Sequence, residues 1–303
     1  MIEAVELTKK FGSLAALDSI SFTIGEGSIF GLVGSNGAGK STLLRTIAGV
    51  YAPTKGKLLV DGESSFENPK IKDRIFFVSD FPFFLKGTSM DTMAVFYAGL
   101  YGGWNAAKYD KLASTFPIDR KAKLSTMSKG MQRQAALILA LSTSPRYLLL
   151  DEAFDGLDPV IRQLLKHLLA ETVAELGTSV VISSHNLREL EDVCDHIGLM
   201  HKGGILFEDE LDNLKLEICK VQAVFTDTPS DEALAAIPGI KNVERRGSMI
   251  MFIAKGAKDE IIDKVNSLSP VFSEVLPLTL EEVFISEMEA AGYDINNILG
   301  QAQ

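Results

Sequence analysis

The chain is poor in several things, and each shortage narrows what it can be. Only two of its 303 residues are cysteine, Cys194 and Cys219. That is too few for a disulfide framework or a thiolate zinc site, and both lie in segments that read as ordinary core. Long hydrophobic runs are missing as well. The longest unbroken apolar stretch, Ala135 to Leu141, is seven residues, well short of the roughly 18 needed to cross a bilayer as a helix. The opening residues, Met1-Ile2-Glu3-Ala4-Val5-Glu6, show no basic segment followed by an apolar one, so no secretory signal is read and a cytoplasmic location is expected. Positive charge is scarce: 30 Lys and Arg stand against 40 Asp and Glu, for a net charge of −10. The deficit is uneven, with 22 basic and 25 acidic groups over residues 1–210 but 8 and 15 over residues 211–303. A chain of this balance offers no broad basic face to a phosphodiester backbone, and no direct nucleic-acid partner is expected. Local anion binding stays open, because backbone N–H groups at a helix start hold phosphate without net charge.

Apolar residues, by contrast, are plentiful at 46%, enough to give a core to each of the two domains that the length suggests and to exclude a disordered or fibrous chain. From Ile2 to about Glu210, short apolar strands alternate with helical stretches, the pattern of an α/β domain. Strands are read at Ile2–Leu7, Ile20–Ile24, Ile29–Val33, Ile75–Val78, Tyr147–Leu150 and Ser179–Ser183. Leu148–Leu150 and Val180–Ile182 are apolar at successive positions, which marks central strands covered on both faces. Between Ser89 and Leu141 the pattern turns helical, broken by Pro117 and by Ser125–Gly130, and a helical subdomain is expected over about 88–145. After residue 212 the order becomes strand, helix, strand, strand, helix, strand, with a further helix at Leu280–Ala290. This is a ferredoxin-like order and predicts an accessory α+β domain over 212–291. The polar tail 292–303 carries no basic residue and is expected to be flexible.

The strand Ile29–Val33 runs into Gly34, Ser35, Asn36, Gly37, Ala38, Gly39, Lys40, Ser41 and Thr42, followed by an apolar-periodic helix. This is G-x-x-x-x-G-K-[ST] in its required strand–loop–helix setting. Its glycines let backbone approach a polyanion closely. Amides from Asn36 to Thr42 can cradle the α- and β-phosphates, Lys40 can reach the β/γ oxygens, and the Ser41 hydroxyl can ligate Mg²⁺. Phosphoanhydride hydrolysis also needs a carboxylate in the Mg²⁺ shell and a group to position water. Asp151 and Glu152, at the end of Tyr147–Leu150, supply the two: Asp151 for the metal, Glu152 as base.

Together with Met127-Ser128-Lys129-Gly130-Met131-Gln132, which lies so that Ser128 falls 23 residues before Asp151, these elements resemble the ATP-binding cassette (ABC) family. The segment matches the family's signature element in an S-K-G-M variant rather than L-S-G-G-Q. Ser128 offers a hydroxyl and Gly130 a bare N–H at a helix start, a ready γ-phosphate contact. The resemblance also makes Gly156-Leu157-Asp158 the D-loop, although Asp158-Pro159 reads equally as N-cap plus N1 proline. It makes His185, 33 residues after Glu152, the switch histidine that senses the γ-phosphate, and Phe11 the aromatic that stacks on adenine. Two positions depart from the family. Asp80 stands where a glutamine usually touches the metal shell and the transmembrane partner, a shorter and charged group that is expected to reach Mg²⁺ through water, and Ala153 follows Glu152 where proline is usual.

The resemblance covers about residues 2–210 and implies a mechanism. Two cassettes, identical or paralogous, pair head to tail, so that the phosphate loop of one and Ser128 and Gly130 of the other enclose each ATP. Binding closes the pair and hydrolysis releases it. The expected fold is thus a P-loop ABC-type ATPase core with a helical insertion, plus the small α+β domain. Residues Phe76–Trp104 hold nine of the 24 aromatics, and in ABC transporters the corresponding stretch receives a helix of the permease, which places docking near Phe81–Trp104. With Leu278-Thr-Leu-Glu-Glu-Val-Phe284, the whole is similar to ATPase subunits of bacterial ABC-2-type exporters. The resemblance therefore implies an ATP- and Mg²⁺-dependent subunit that powers a separate permease and sits peripherally on the inner membrane face. A soluble ABC ATPase acting on ribosomes or DNA is the alternative. One cassette, no heptad run and an acidic C-terminal domain argue against it.

Overall fold

Two residues, Gly12 and Ser13, separate strands β1 (Ile2–Phe11) and β2 (Leu14–Ile24), a connection too short for anything but an antiparallel hairpin. In the computed structural model, which describes residues 1–211, 213, 218–276 and 278–290, this hairpin and β4 (Lys55–Val60) form their own antiparallel sheet in the order β2-β1-β4. The opening strands are therefore longer than the apolar runs Ile2–Leu7 and Ile20–Ile24 suggest, and they lie outside the parallel sheet.

That second sheet has six strands in the order β5 (Ile75–Val78), β6 (Tyr147–Asp151), β7 (Ser179–Ser184), β3 (Ile29–Val33), β8 (His196–His201) and β9 (Gly204–Glu210). Its neighbours from β5 through β8 pair in parallel. Every residue of β3, β6 and β7 is buried, as strands covered on both faces require. Parallel strands end on the same side, so the loops after β3, β6 and β7 gather at one carboxyl edge, where open α/β sheets bind ligands. The chain order adds α1 (Lys40–Ile47) after β3, α2 (Pro69–Lys72) before β5, and the insertion of α3 (Met90–Ala98), α4 (Ala106–Thr115) and α5 (Lys129–Ser142) between β5 and β6. Helices α6 (Pro159–Leu176) and α7 (Leu187–Leu190) flank β7. Helix α5 is buried from Arg133 to Ser142, which explains its unbroken apolar run: it is a central helix with no solvent face over that stretch.

The chain divides into two compact units, Met1–Glu208 and the remainder from Asp209. In the second, β10 (Ile218–Val224), α8 (Asp231–Ala235), β11 (Ile240–Arg246), β12 (Met249–Lys255), α9 (Lys258–Ser267) and β13 (Phe272–Leu276) are followed by α10 (Leu280–Ala290). The four strands form an antiparallel sheet in the order β11-β12-β10-β13, the strand–helix–strand–strand–helix–strand unit read from the sequence. Val221, Ala223, Phe225, Ile250 and Phe252 pack with Ile261 and Val265 of α9 in its core. The tail 292–303 lies outside the described residues. Among the described residues no helix is long and apolar enough to cross a membrane.

Candidate functional site

Two glycines of the β3–α1 loop have no substitute. A Cβ on Gly34 would stand 2.4 Å from the Met200 carbonyl oxygen. Gly39, with φ +111°, would put one 2.5 Å from that of Ala16. As N-cap of α1, Gly39 has no side chain to occupy the first helical N–H groups, so these donors and the positive end of the helix dipole are left for an anion. Lys40 is buried and donates from Nζ to the carbonyls of Gly34 at 2.6 Å and Ser35 at 3.3 Å. Its ammonium also lies 3.3 Å from Glu152 Oε1. The loop thus holds its cation inward, paired with the carboxylate that follows β6, two strands away in the sheet.

Asp151, the last residue of β6, is fully buried. Its Oδ1 accepts from Ser41 Oγ at 2.9 Å and from Ser183 Oγ at 2.7 Å, so α1 and β7 both orient it. Oδ2 has no hydrogen-bond partner and sees only the Arg45 guanidinium at 4.0 Å. Burial raises the carboxyl above its ordinary range, opposed by the two serine hydroxyls. A raised native pKa means that the native state is favoured most below the unfolded carboxylate range, and that this contribution is lost as pH rises through the native value. Near neutral pH the ionised group therefore works against the nucleotide-free fold. Asp151→Asn is expected to raise the thermal midpoint of nucleotide-free protein near pH 7, with a smaller gain at about pH 4. Melting followed by circular dichroism at both pH values checks this, and a gain independent of pH would contradict it.

Glu152 follows in the left-handed region, φ +51°, a conformation that costs a non-glycine residue and concentrates at functional positions. Its backbone N–H donates to Ser183 Oγ at 3.1 Å. Its Oε2 lies 2.8 Å from His185 Nδ1, while Oε1 faces Lys40. His185 is half exposed on the loop after β7. Ala153, in place of the family's proline, is buried at 1% exposure, and both carboxylates remain in place.

These groups border a cavity of about 550 Å³ lined by Phe11, the loop from Asn36 to Thr42, Asp80 and Glu152. Phe11 ends β1 with its ring exposed and meets Tyr51 edge-on at 5.2 Å, with Lys9 over both rings. A flat apolar face presented this way suits a nucleobase. Asp80 lies 3.4 Å from the Arg45 guanidinium. Gly34 and Ser35 act from behind, through their carbonyls. Ser128, Gly130, Asp158 and His185 are not among the lining residues. Ser128 caps α5, accepting from Met131 N at 3.2 Å. Asp158 caps α6 through Val160 and Ile161 N–H, both at 3.0 Å, so its side chain is committed to the cap. Arg133 of α5 donates to the carbonyls of Asp80, at 2.8 Å, and Asp155, which ties the Ser128 helix to both segments flanking the cavity.

Several participants escape sequence reasoning. Arg45 could have been found, since it lies four residues after Ser41 on one helix face. Ser183 was hidden inside a strand, and Leu14, Ala15, Ala16, Lys202 and Gly203 reach the cavity only through the β1–β2 and β8–β9 hairpins. Among the described residues no group of three or more His, Cys, Asp or Glu side chains converges on a metal position. That accords with Mg²⁺, which takes one or two carboxylates and completes its shell with water and phosphate oxygens. The buried, unpartnered Asp151 Oδ2 beside the Ser41 hydroxyl is the hard-oxygen donor set such an ion needs.

The arrangement is a phosphate-loop site with a carboxylate, Glu152, held between the loop lysine and His185. Residues 17–155 match the ABC transporter family model. The ABC transporter ATP-binding protein YtrB of Bacillus subtilis (strain 168) is 32% identical over 288 residues, 95% of this chain and 98% of its own. The bacitracin transport ATP-binding protein BcrA of Bacillus licheniformis is 32% identical over 218 residues, 71% of each. Among solved structures, the dimeric ATP-binding cassette MJ0796 in a post-hydrolysis state bound to ADP and Pi superposes with a TM-score of 0.63 at 24% identity, over 70% of this chain and 99% of that one. The chain belongs to the ABC transporter ATP-binding proteins. It is an ATP-binding subunit whose ATP hydrolysis is coupled to transport.

Proposed function

We propose that the chain powers an exporter whose transmembrane permease is a separate protein, and that it works as a pair of cassettes, identical or paralogous. One observation carries the hydrolytic part: Lys40, Glu152 and His185 form a continuous chain of contacts beside the hydrogen-bonded pair Ser41 and Asp151. In this reading the amides from Asn36 to Thr42 hold the phosphates and Phe11 holds the base. Lys40 leaves Glu152 for the β/γ oxygens, which frees that carboxylate to orient water and accept its proton. His185 positions Glu152 through Nδ1 and turns its other ring nitrogen toward the γ-phosphate. Ser41 and Asp151 would hold Mg²⁺, with Asp80 within reach through water, and the ion would supply charge neutralisation to the phosphates. Ser128 and Gly130, away from their own chain's cavity, are free to complete the site of a second copy, as does Asp158 through the backbone of its turn. A relative named as a Nod factor export ATP-binding protein, from Sinorhizobium fredii, 29% identical over 94% of this chain, supports export as the direction, and the domains are read as 1–211 for the cassette and 212–291 for the accessory unit.

The aromatic stretch has two populations. Phe76 is buried against Tyr97 and Tyr101 at 5.3 and 5.1 Å, whereas Phe81 and Phe83 are 70% and 80% exposed. Exposed phenylalanines beside the Asp80 segment suit a helix of a permease, and such docking would hold the protein peripherally on the inner face of the membrane. With the permease, the chain is expected in the membrane fraction. Phe83→Asp should release it into the supernatant by at least about tenfold, the effect of burying one charge in an apolar contact, while the ATPase rate of the isolated chain stays unchanged. Retention of Phe83→Asp on permease-containing membranes would remove this surface from the docking role.

A further inference from the structure

The hairpin turn between β8 and β9 carries a lysine where its backbone favours glycine or asparagine. Lys202 has φ +47° and Gly203 φ +83°, the two positive values that a two-residue turn between right-handed strands requires. A lysine pays a steric penalty there that asparagine largely avoids. The turn is fastened to the phosphate loop: Gly203 N–H donates to the Ala38 carbonyl at 2.9 Å, and the Gly203 carbonyl accepts from Asp18 N–H at 2.9 Å. A Cβ on Gly203 would come within 3.1 Å of the Ala16 carbonyl oxygen, so the turn sits flush against β2. Lys202 is thereby held at the rim of the 550 Å³ cavity, on a turn fastened to Ala38 of the phosphate loop.

Its side chain is exposed and makes no ion pair or hydrogen bond among the described residues. The carboxylates that face the same cavity are taken: Asp80 by Arg45, and Glu152 by Lys40 and His185. An unpaired, solvated cation on a pinned turn at the rim of a polyanion site is available to a ligand that enters it. We propose that Lys202 is a nucleotide-binding residue that pairs with the α-phosphate at its ribose side. Lys40, Ser41 and Glu152 hold the opposite end, where the β- and γ-phosphates lie, and Phe11, Leu14 and Ala15 line the base end. The Lys202–Gly203 turn touches both, through Ala38 of the phosphate loop and through Ala15 and Ala16. This assignment rests on the phosphate-loop reading of the cavity.

The test measures ATP and ADP binding to the full chain by calorimetric titration, for the native protein, Lys202→Asn and Lys202→Arg. Lys202→Asn should weaken both nucleotides by the same factor, roughly three- to tenfold, the size of one partly exposed charge-assisted hydrogen bond. The salt dependence of binding should become shallower, Lys202→Arg should keep most of the affinity, and the melting temperature of Lys202→Asn should match or exceed that of the native chain. Unchanged affinities would overturn the proposal. Weakening of ATP alone would also overturn it by moving Lys202 to the γ-phosphate, and a fall in melting temperature would reduce the affinity loss to a folding effect. Lys40→Ala serves as control. If Lys40→Ala binds ATP with native affinity, the phosphate-loop reading itself fails, whatever Lys202→Asn does.

Discussion

Glu152→Gln is expected to bind ATP at least as tightly as the native chain and to hydrolyse it roughly a hundred- to ten-thousandfold more slowly. Both halves follow from the contacts of one carboxylate. Without nucleotide, Oε1 neutralises Lys40 at 3.3 Å and Oε2 meets His185 Nδ1 at 2.8 Å, so ATP must compete with Glu152 for the loop lysine. Glutamine keeps the shape and can still contact His185, but it gives up the charge that competes for Lys40 and the basicity that takes the proton from water. Bound ATP then persists, and with it the closed pair of cassettes. Single-turnover hydrolysis measures the first effect, and size-exclusion chromatography with ATP measures the second. Native turnover by Glu152→Gln would remove the residue from the role of base.

Lys40→Ala is expected to lower ATP affinity by at least about a hundredfold, the worth of roughly 3 kcal/mol of buried, charge-assisted hydrogen bonding. The same substitution leaves the Gly34 and Ser35 carbonyls without their donor and strands Glu152 without its cation. A modest loss of fold stability therefore accompanies it. Equilibrium binding with a fluorescent ATP analogue, read beside a melting curve, separates the two. If a folded Lys40→Ala protein retains native affinity, the loop from Gly34 to Thr42 does not hold the phosphates.

The two substitutions probe one device. Lys40 and Glu152 neutralise each other, so neither charge stands alone in a poorly solvated site. Arg45 does the same for the acidic side, lying near both Asp80 and Asp151. The aspartate at position 80, where the family usually has glutamine, thus has a local physical partner in Arg45. Through its backbone carbonyl it also touches Arg133 of the helix that begins at Ser128. The segment proposed to dock the permease and the helix proposed to meet a second cassette are joined at this residue.

The phosphate loop was legible in the sequence because its requirements are local: glycines for close approach, a lysine, a serine and a following helix, all within nine residues of chain. The run of apolar residues into Asp151 and Glu152 was legible for the same reason, since a buried strand end fixes where its last side chains emerge. The βαββαβ order of the second unit was readable from apolar period alone. Tertiary structure decided which distant residues share the site. Ser183 lies 32 residues from the Asp151 it holds, and Lys202 reaches the cavity only because the β8–β9 turn is pinned to Ala38. Strand pairing sets such meetings, and no short-range pattern encodes it. The same holds for the first two strands, whose apolar runs look like part of the α/β alternation until the two-residue hairpin forces them into a sheet of their own. The chain's shortage of positive charge takes on a local meaning as well. How few cations there are is written in the composition, and the fold brings Lys40 and Lys202, far apart in the chain, to the lining of one cavity, where the proposed anion would be held.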